Sequence, residues 1–367
     1  MPLLATSAER KYWVGFTLVP GVGPARITRL LQAFGSLEQA WGAPLQELRA
    51  AGLDARTTGS LERRRDVLNL DAELEKLDRL GVHAYTWNDP QYPQLLREID
   101  DAPAVLFVRG DLVPDDRTAV AVVGTRKASI YGREATTRLV GDLARSGVTV
   151  VSGLARGIDT AAHRSALEAG GRTIGVMACG LDMVYPAENA GLAREIVRHG
   201  ALISEHPLGV RPESSHFPRR NRIMSGVSLG VLVVEAALDS GSHITVRYAL
   251  DQNREVFAVP GSIFAPGSQG THRWIREGAK LVTRAEDILE ELNVAAMGQQ
   301  LALQDALPVT AAEAAILRHL SPEPTHVDAV GRRSGVPIAD VCSALTMMEL
   351  KGLVRHVGGM NYVSTRS

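Results

Sequence analysis

The sequence predicts an α/β protein: a Rossmann-like, doubly wound parallel sheet with a helical region before it and a winged helix after it. From residue 118, short apolar runs such as "TAVAVVG", "VTVVSG" and "LGVLVVEA" alternate with amphipathic stretches. This alternation is typical of parallel strands covered by helices on both faces. In addition, 367 residues exceed what one core ordinarily holds, so we expect several domains.

Residues 1–110 are predicted to form a small helical domain followed by a linker. The stretch "YWVGFTLVPGVGPARITRLLQAFGSLEQAW" contains two helical patterns joined by "PGVGP" at 20–24. This turn resembles the hairpin of helix-hairpin-helix and sterile-alpha-motif-like (SAM-like) modules, whose backbone N–H groups can face a phosphate. A turn that merely packs two helices is the alternative, which we favour because no Lys or Arg lies within it.

The Rossmann-like domain is predicted to cover residues 111–293, with a linker at 294–309 and the winged helix at 310–367. This last segment contains three helical patterns and a glycine-turned hairpin, "LVRHVGGMNYVS". It holds six Lys or Arg against five Asp or Glu. Because phosphate contact usually requires an excess of positive charge, we expect this domain to dock onto protein rather than to read DNA.

Composition narrows the class of protein. The net charge of −1 means that any nucleic-acid surface must be a local patch. No apolar run reaches the ~20 residues of a membrane span, and the first residues lack a signal-peptide pattern, so we expect a cytoplasmic protein. Cys179 and Cys342 are predicted to be buried free thiols. No metal-ligand spacing is evident, and we expect no metal, no cofactor and no catalytic residue.

The candidate binding residues follow the predicted strands. In open α/β sheets, ligands bind beyond the carboxyl ends of the strands. The turns at those ends supply small and basic residues: Gly124, Arg126, Lys127, Ser152, Gly153, Arg156, Ser240, Gly241 and Ser242. The segment "HFPRRNRIMSG", which precedes an apolar run, adds Phe217, Arg219, Arg220, Asn221 and Arg222.

These residues predict a site for several phosphates. A dinucleotide site is disfavoured, because it needs G-x-G-x-x-G after the first strand and an acidic residue after the second, whereas Arg126 holds the third place and Ser152-Gly153 ends the second strand. Glycine- and serine-rich turns that open helices still bind anions through free N–H groups. Phe217, beside the basic segment, can stack a base.

Three polar residues near these turns have simpler explanations. We expect Asp159 to be the N-cap of a helix and His163 to be a packed or surface side chain. Glu235, at the end of a strand, is either catalytic or a brace for an arginine.

Six stretches in this order resemble the DNA-processing protein A family (DprA, also called Smf). They are "VAVVGTRKASIYG", "SGLARGIDTAAHRSAL", "GLDMVYPAEN", "HFPRRNRIMSGVS", "VVEAALDSGSHITVRYAL" and "VFAVPGS". The stretch "NDPQYPQLLREIDDAPAVLFVRG" before them also fits the family. The resemblance covers about residues 88–292 strongly and both flanks more loosely.

The resemblance implies a protein that binds without turnover. Members of the family bind single-stranded DNA that enters a cell in natural transformation, protect it, and help to load a RecA-type recombinase. They dimerise through the Rossmann domain and commonly carry a winged helix. Their DNA contacts correspond here to Arg126 and to the F-P-x-R-N-R segment, which supplies Phe217, Arg220, Asn221 and Arg222.

This chain departs from the family pattern at three positions. Ala187 stands where many relatives have a lysine, His272 replaces an asparagine, and Trp274 replaces a leucine. The missing lysine removes one expected phosphate contact, for which Arg156 and Arg219 are candidates to compensate.

Two other functions are kept as alternatives. The sheet more distantly resembles nucleotide phosphoribohydrolases of the lysine-decarboxylase-like group, in which Glu235 could act beside "SGSHIT". The absence of their P-G-G-x-G-T signature counts against this enzyme. A double-stranded DNA binder acting through the winged helix is the other alternative, which the near-neutral charge of that domain weakens.

Overall fold

The computed structural model describes residues 7–294, 310–321, 324–350 and 353–364. These fall into two compact units, one up to Leu292 and one from Asn293. All but the first residue of the predicted linker 294–309 lies outside the described residues. None of the described helices is long and apolar enough to cross a bilayer.

The first unit begins with six helices that pack on one face of a sheet. Their apolar side chains, including Trp13, Phe16 and Leu30, share one core with Phe107 and Leu202 of the sheet. The helices are α1 (Ser7–Thr17), α2 (Pro24–Phe34), α3 (Leu37–Gly42), α4 (Leu45–Ala50), α5 (Ala55–Val67) and α6 (Leu70–Arg79). Arg26 of α2 stabilises the predicted turn between α1 and α2. It donates to the carbonyl of Gly21 and forms an ion pair with Asp54, which precedes α5.

The sheet has nine strands. They are β1 (Val82–Thr86), β2 (Val105–Gly110), β3 (Ala119–Val123), β4 (Thr149–Ser152), β5 (Thr173–Val176), β6 (Gly200–Ser204), β7 (Gly230–Val233), β8 (Glu255–Ala258) and β9 (Lys280–Leu281). Their order in space is β1-β2-β6-β5-β4-β3-β7-β8-β9. Strands β3 to β9 are parallel to one another, whereas β2 pairs antiparallel with β6 and β1 pairs antiparallel with β2.

This topology confirms the predicted doubly wound sheet. The chain builds β3 to β6 in one direction, then crosses β3 and builds β7 to β9 in the other, so the switch point lies between β3 and β7. Strands β3 to β7 are short and buried throughout, as in "AVAVV" of β3, which explains their unbroken apolar runs. The domain boundary after residue 110 stays a prediction. Strands β1 and β2, which precede this boundary, belong to the same sheet as the strands that follow it.

Helices cover both faces of the sheet. After β2 they are α8 (Ile130–Arg145), α9 (Ile158–Glu168), α10 (Ala190–His199), α11 (His216–Gly226), α12 (Ser242–Asp251), α13 (Gln269–Arg276) and α14 (Glu286–Glu291), while α7 (Gln94–Arg97) lies between β1 and β2. Ile223 and Met224 of α11 share a second core with Val123 and Val233 of the sheet. The arginine segment is therefore a helix that packs on the sheet.

The second unit is a winged helix, as predicted. Its helices are α15 (Ala311–Leu317), α16 (Val327–Ser334) and α17 (Ile338–Leu350), and its strands are β10 (Thr325–His326), β11 (Val354–His356) and β12 (Asn361–Ser364). The strands pair in the order β10-β12-β11. The sequence predicted only the last two, because β10 has two residues and no alternating pattern.

Candidate nucleic-acid interface

A cavity of about 670 Å³ opens at the switch point of the sheet. We call it the switch-point pocket. Its walls come from the turn after β3, the turn after β7 and helix α11. Nine of the predicted site residues line it: Gly124, Arg126, Lys127, Phe217, Arg220, Asn221, Ser240, Gly241 and Ser242.

The turn after β3 is fixed by its neighbours on both sides. The N–H of Thr125 donates to the carbonyl of Glu235, and the N–H of Ile158 donates to the carbonyl of Thr125. Gly157 has φ +76°, and a Cβ there would lie 2.3 Å from the oxygen of Thr125. Only glycine allows this close approach without strain. Arg126 therefore projects from a rigid turn.

Arg126 and Phe217 form the contact at the centre of the pocket wall. The guanidinium carbon lies 5.3 Å from the centre of the phenyl ring, within the range of a cation–π interaction. Phe217 in turn lies 5.7 Å from the ring of Tyr185. Both Arg126 and Lys127 are exposed, and no described carboxylate pairs with either. The wall thus offers free positive charge beside two aromatic rings.

Arg220 forms the buried floor of the pocket. Its side chain is buried, and Nη1 donates to the carbonyl of Val176 at 2.9 Å. The neighbouring Asp159 is also buried, and Oδ2 accepts the N–H groups of Gly153 and Ala155. Burial raises the pKa of Asp159, which the Arg220 guanidinium opposes. Asp159 is therefore not the predicted helix N-cap; Gly157 holds that place.

Five predicted site residues lie outside the lining of the switch-point pocket: Ser152, Gly153, Arg156, Arg219 and Arg222. Ser152 is buried and donates to the carbonyl of Val122, and Gly153 lies against the Arg220 guanidinium. Arg156 is exposed and makes a bidentate pair with Glu188, with N···O distances of 2.8 and 2.7 Å. Arg219 lies near His206, in a different cavity.

Arg222 does not reach the pocket. Its side chain is 3% exposed, Nε pairs with Asp101 at 2.6 Å, and Nη2 pairs with Glu205 at 2.8 Å. The expectation of a phosphate contact from Arg222 therefore has no support in its position. Because α11 turns by about 100° per residue, neighbouring arginines face different surroundings, and Arg222 is directed to carboxylates.

The other polar residues have structural roles. His163 is buried, and Nδ1 lies 2.7 Å from Oγ1 of Thr173. Glu235 braces the turn after β3 rather than an arginine, since Oε2 accepts the N–H of Ser129. Trp274 donates to Nδ1 of His243 at 2.7 Å, and Nε2 of His243 meets the carbonyl of Ala237.

Tyr185 is a residue of the pocket that the sequence analysis did not select. It lines the switch-point pocket and is about half exposed. The available signal was an aromatic residue in "DMVYPAEN", in the loop that follows β5. An exposed aromatic ring beside a cationic turn is a feature of surfaces that bind unpaired bases.

Comparison with protein families gives two matches. Residues 83–293 match DNA recombination-mediator protein A, and residues 300–360 match the DprA winged helix domain. The first match spans most of the nine-stranded sheet and every wall of the switch-point pocket.

Similar proteins occur in several bacteria. Protein Smf of Synechocystis is 35% identical over 97% of this chain and 99% of its own length. Protein Smf of Escherichia coli is 42% identical over 81% of both chains. DNA processing protein DprA of Bacillus subtilis is 46% identical over 58% of this chain and 72% of its own.

Two solved structures share the fold. DprA of Streptococcus pneumoniae superposes with a TM-score of 0.65 at 37% identity, over 76% of this chain and 96% of its own. DNA processing protein A of Helicobacter pylori, whose structure concerns its single-stranded DNA binding mode, gives a TM-score of 0.53 at 28% identity, over 59% of this chain and 97% of its own. With the matched family domains and the full-length similarity to Smf, these findings show that the chain belongs to the DprA family of DNA processing, recombination-mediator proteins.

Proposed function

We propose that this chain binds single-stranded DNA in the switch-point pocket without regard to base sequence and without turnover. The observation that carries the proposal is the Arg126 guanidinium over the Phe217 ring, beside the unpaired Lys127, at the mouth of the pocket. Guanidinium and ammonium groups bind phosphates, whereas an aromatic ring accepts any base. The single-stranded DNA binding of the Helicobacter pylori relative supports the proposal.

The residues divide into three roles in this proposal. Arg126, Lys127 and Asn221 contact the phosphate backbone, together with the N–H of Gly241 in the turn after β7. Phe217 and Tyr185 stack bases. Arg220 supplies a buried positive charge behind the pocket, and Gly153 and Ser152 shape the floor beneath it.

The family also supports a proposal for the cellular role. We propose that the protein acts in the cytoplasm as a homodimer through its Rossmann domain, protects incoming single strands in natural transformation, and helps to load a RecA-type recombinase. The family description as a recombination mediator supports this. Recombinase loading would be tested by measuring whether the protein promotes recombinase filaments on single strands precoated with a single-strand-binding protein. Light scattering would test the homodimer.

Anisotropy titration of a labelled thymidine oligomer at two salt concentrations tests the pocket. Arg126→Ala should lower affinity about tenfold and reduce the salt slope by about 0.7, the value for one lost phosphate contact on a single strand. Arg145→Ala is the matched control, since that exposed arginine pairs with Asp142 outside the pocket. Equal affinity and equal slope for Arg126→Ala and the wild type would contradict the site.

Two further assays separate the alternatives. Competition between single and double strands distinguishes the proposal from a duplex reader. Incubation with nucleoside monophosphates, followed by detection of free base, tests the hydrolase. The carboxylate which that hydrolase needs, Glu235, accepts a backbone N–H and is not among the residues that line the pocket.

A further inference from the structure

A second groove adjoins the switch-point pocket. It has a volume of about 590 Å³ and runs between the turn after β3 and helices α8 and α9. We call it the side groove. Five basic side chains line it, against two carboxylates, Glu168 and Glu188. The basic residues are Arg126, Lys127, Arg133, Arg156 and Arg164. Neither Arg133 nor Arg164 is among the predicted site residues.

The side groove is continuous with the pocket through two residues. Arg126 and Lys127 line both cavities. Arg126 and Arg156 also border a third, smaller cavity of about 60 Å³ together with Tyr185 and Phe217. A chain of phosphates that leaves the pocket past Arg126 therefore meets further positive charge at once.

The basic side chains of the side groove differ in how far they are engaged. Arg164 and Lys127 are exposed, and no described carboxylate pairs with them. Arg133 donates to the carbonyl of Ala128 at 2.5 Å. Arg156 is held by Glu188 in a bidentate pair whose side chains are 64% and 53% exposed. Such exposed pairs are weak, and a phosphate offers the same two-oxygen geometry as the carboxylate.

The side groove differs from the pocket in its lining. Among the described residues that line it, none is aromatic. Its remaining lining side chains are small or polar, such as Thr137, Thr160 and Ser165. It can therefore contact a sugar–phosphate backbone but cannot stack a base, which sets it apart from the pocket with Phe217 and Tyr185.

We propose that the side groove binds the phosphate backbone of the same single strand after the strand leaves the switch-point pocket. In the free protein Glu188 forms an ion pair with Arg156, and a phosphate of the bound strand displaces Glu188 from this pair. This inference rests on the proposed function, since it extends the path of that strand. It predicts that long strands gain contacts that short strands cannot make.

The test uses the full chain and two labelled thymidine oligomers, of about 4 and about 16 nucleotides, which bracket the site sizes of known single-strand binders. The double variant Arg133→Gln/Arg164→Gln should weaken binding of the long oligomer about tenfold or more and reduce its salt slope by about 1.4, as two contacts are lost. Affinity for the short oligomer should not change. The matched control is Arg138→Gln/Arg145→Gln, which removes two charges from α8 outside the three cavities.

A second variant tests the displacement of Glu188. Glu188→Gln should strengthen binding of the long oligomer about threefold, because a neutral amide competes less for Arg156 than a carboxylate does. It should leave binding of the short oligomer unchanged. Because misfolding can only lower the affinity, a gain of affinity in this variant cannot be a result of misfolding. An unchanged affinity for the long oligomer would overturn the role of Glu188.

The outcomes keep the two proposals apart. If the Arg133/Arg164 variant binds both oligomers like the wild type, or loses the same factor for each, the side groove is overturned. The pocket is overturned only if Arg126→Ala leaves binding of the short oligomer intact. A loss confined to the long oligomer in the Arg133/Arg164 variant, with the control variant unaffected, supports the groove.

Discussion

The guanidinium of Arg220 occupies the space that a side chain at Gly153 would need. A Cβ at residue 153 would lie 1.5 Å from Nη1 of Arg220. Arg220 cannot move away freely, because it is buried and donates to the carbonyl of Val176. The glycine directly after β4 and the arginine in α11 are thus one structural unit, although 67 positions separate them.

Gly153→Ala should displace Arg220 and destabilise the fold by about 1–3 kcal/mol, as overpacking of a core does. It should also weaken single-strand binding, since the charge beneath the pocket shifts. Urea unfolding and anisotropy titration measure the two effects. Gly191→Ala, in an exposed turn of α10 with no atom closer than 4.0 Å to the added Cβ, is the control and should be tolerated. Equal stability of the two variants would refute this coupling.

Arg222 is predicted to stabilise the fold rather than to bind DNA. Arg222→Ala leaves Glu205, whose side chain is only 13% exposed, without its partner and should cost about 3 kcal/mol of unfolding free energy. The exposed pair of Arg273 with Glu277 provides the control, and Arg273→Ala should cost less than about 1 kcal/mol. At a temperature where Arg222→Ala is folded, its affinity for a short oligomer should equal that of the wild type. A selective loss of binding with unchanged stability would show the opposite role.

Burial of His163 predicts a loss of stability in acid. Desolvation lowers the pKa of His163 to about 3, and the nearby Arg220 adds to the shift. In the unfolded chain the pKa is about 6.5, so between these values only the unfolded state takes up the proton. The stabilising contribution is complete above about pH 6.5 and falls by about 2 kcal/mol towards pH 5.

Urea unfolding at pH 7 and pH 5 checks this prediction. His163→Gln should lose less stability than the wild type between the two values, whatever its stability at pH 7. His199→Gln changes an exposed histidine and should follow the wild type. Burial also lowers the pKa of His206, to about 4, so part of the acid effect should remain in the His163 variant. If all three proteins lose the same free energy of unfolding between pH 7 and pH 5, His163 is not a source of the acid sensitivity.

The hydrogen bond between Trp274 and His243 is predicted to hold the turn after β7. Trp274→Phe keeps an aromatic ring but removes the donor to Nδ1 of His243, which should cost about 1–2 kcal/mol. A double-mutant cycle with His243→Leu should give a coupling energy of at least about 0.5 kcal/mol. Additive effects of the two substitutions would mean that the bond contributes nothing to stability.

Local sequence patterns were sufficient to predict the fold of the sheet. The unbroken apolar runs of β3 to β8 and the amphipathic helices between them fixed a parallel, doubly wound sheet, which in turn located the pocket at the carboxyl ends of β3 and β7. Nine of the predicted residues meet there. The two-residue strand β10 was missed because it is too short to carry a pattern.

By itself, the sequence determined the sheet, the glycine turns and the presence of basic and aromatic residues at its edge. Only the tertiary structure decided which of those charges are free. Arg126 and Lys127 face the pocket, Arg222 is neutralised by Asp101 and Glu205, and Arg156 by Glu188. The physical reason is that apolar periodicity is a local property of the chain. The partner of a guanidinium, by contrast, depends on carboxylates that are distant in sequence and that folding alone brings within reach.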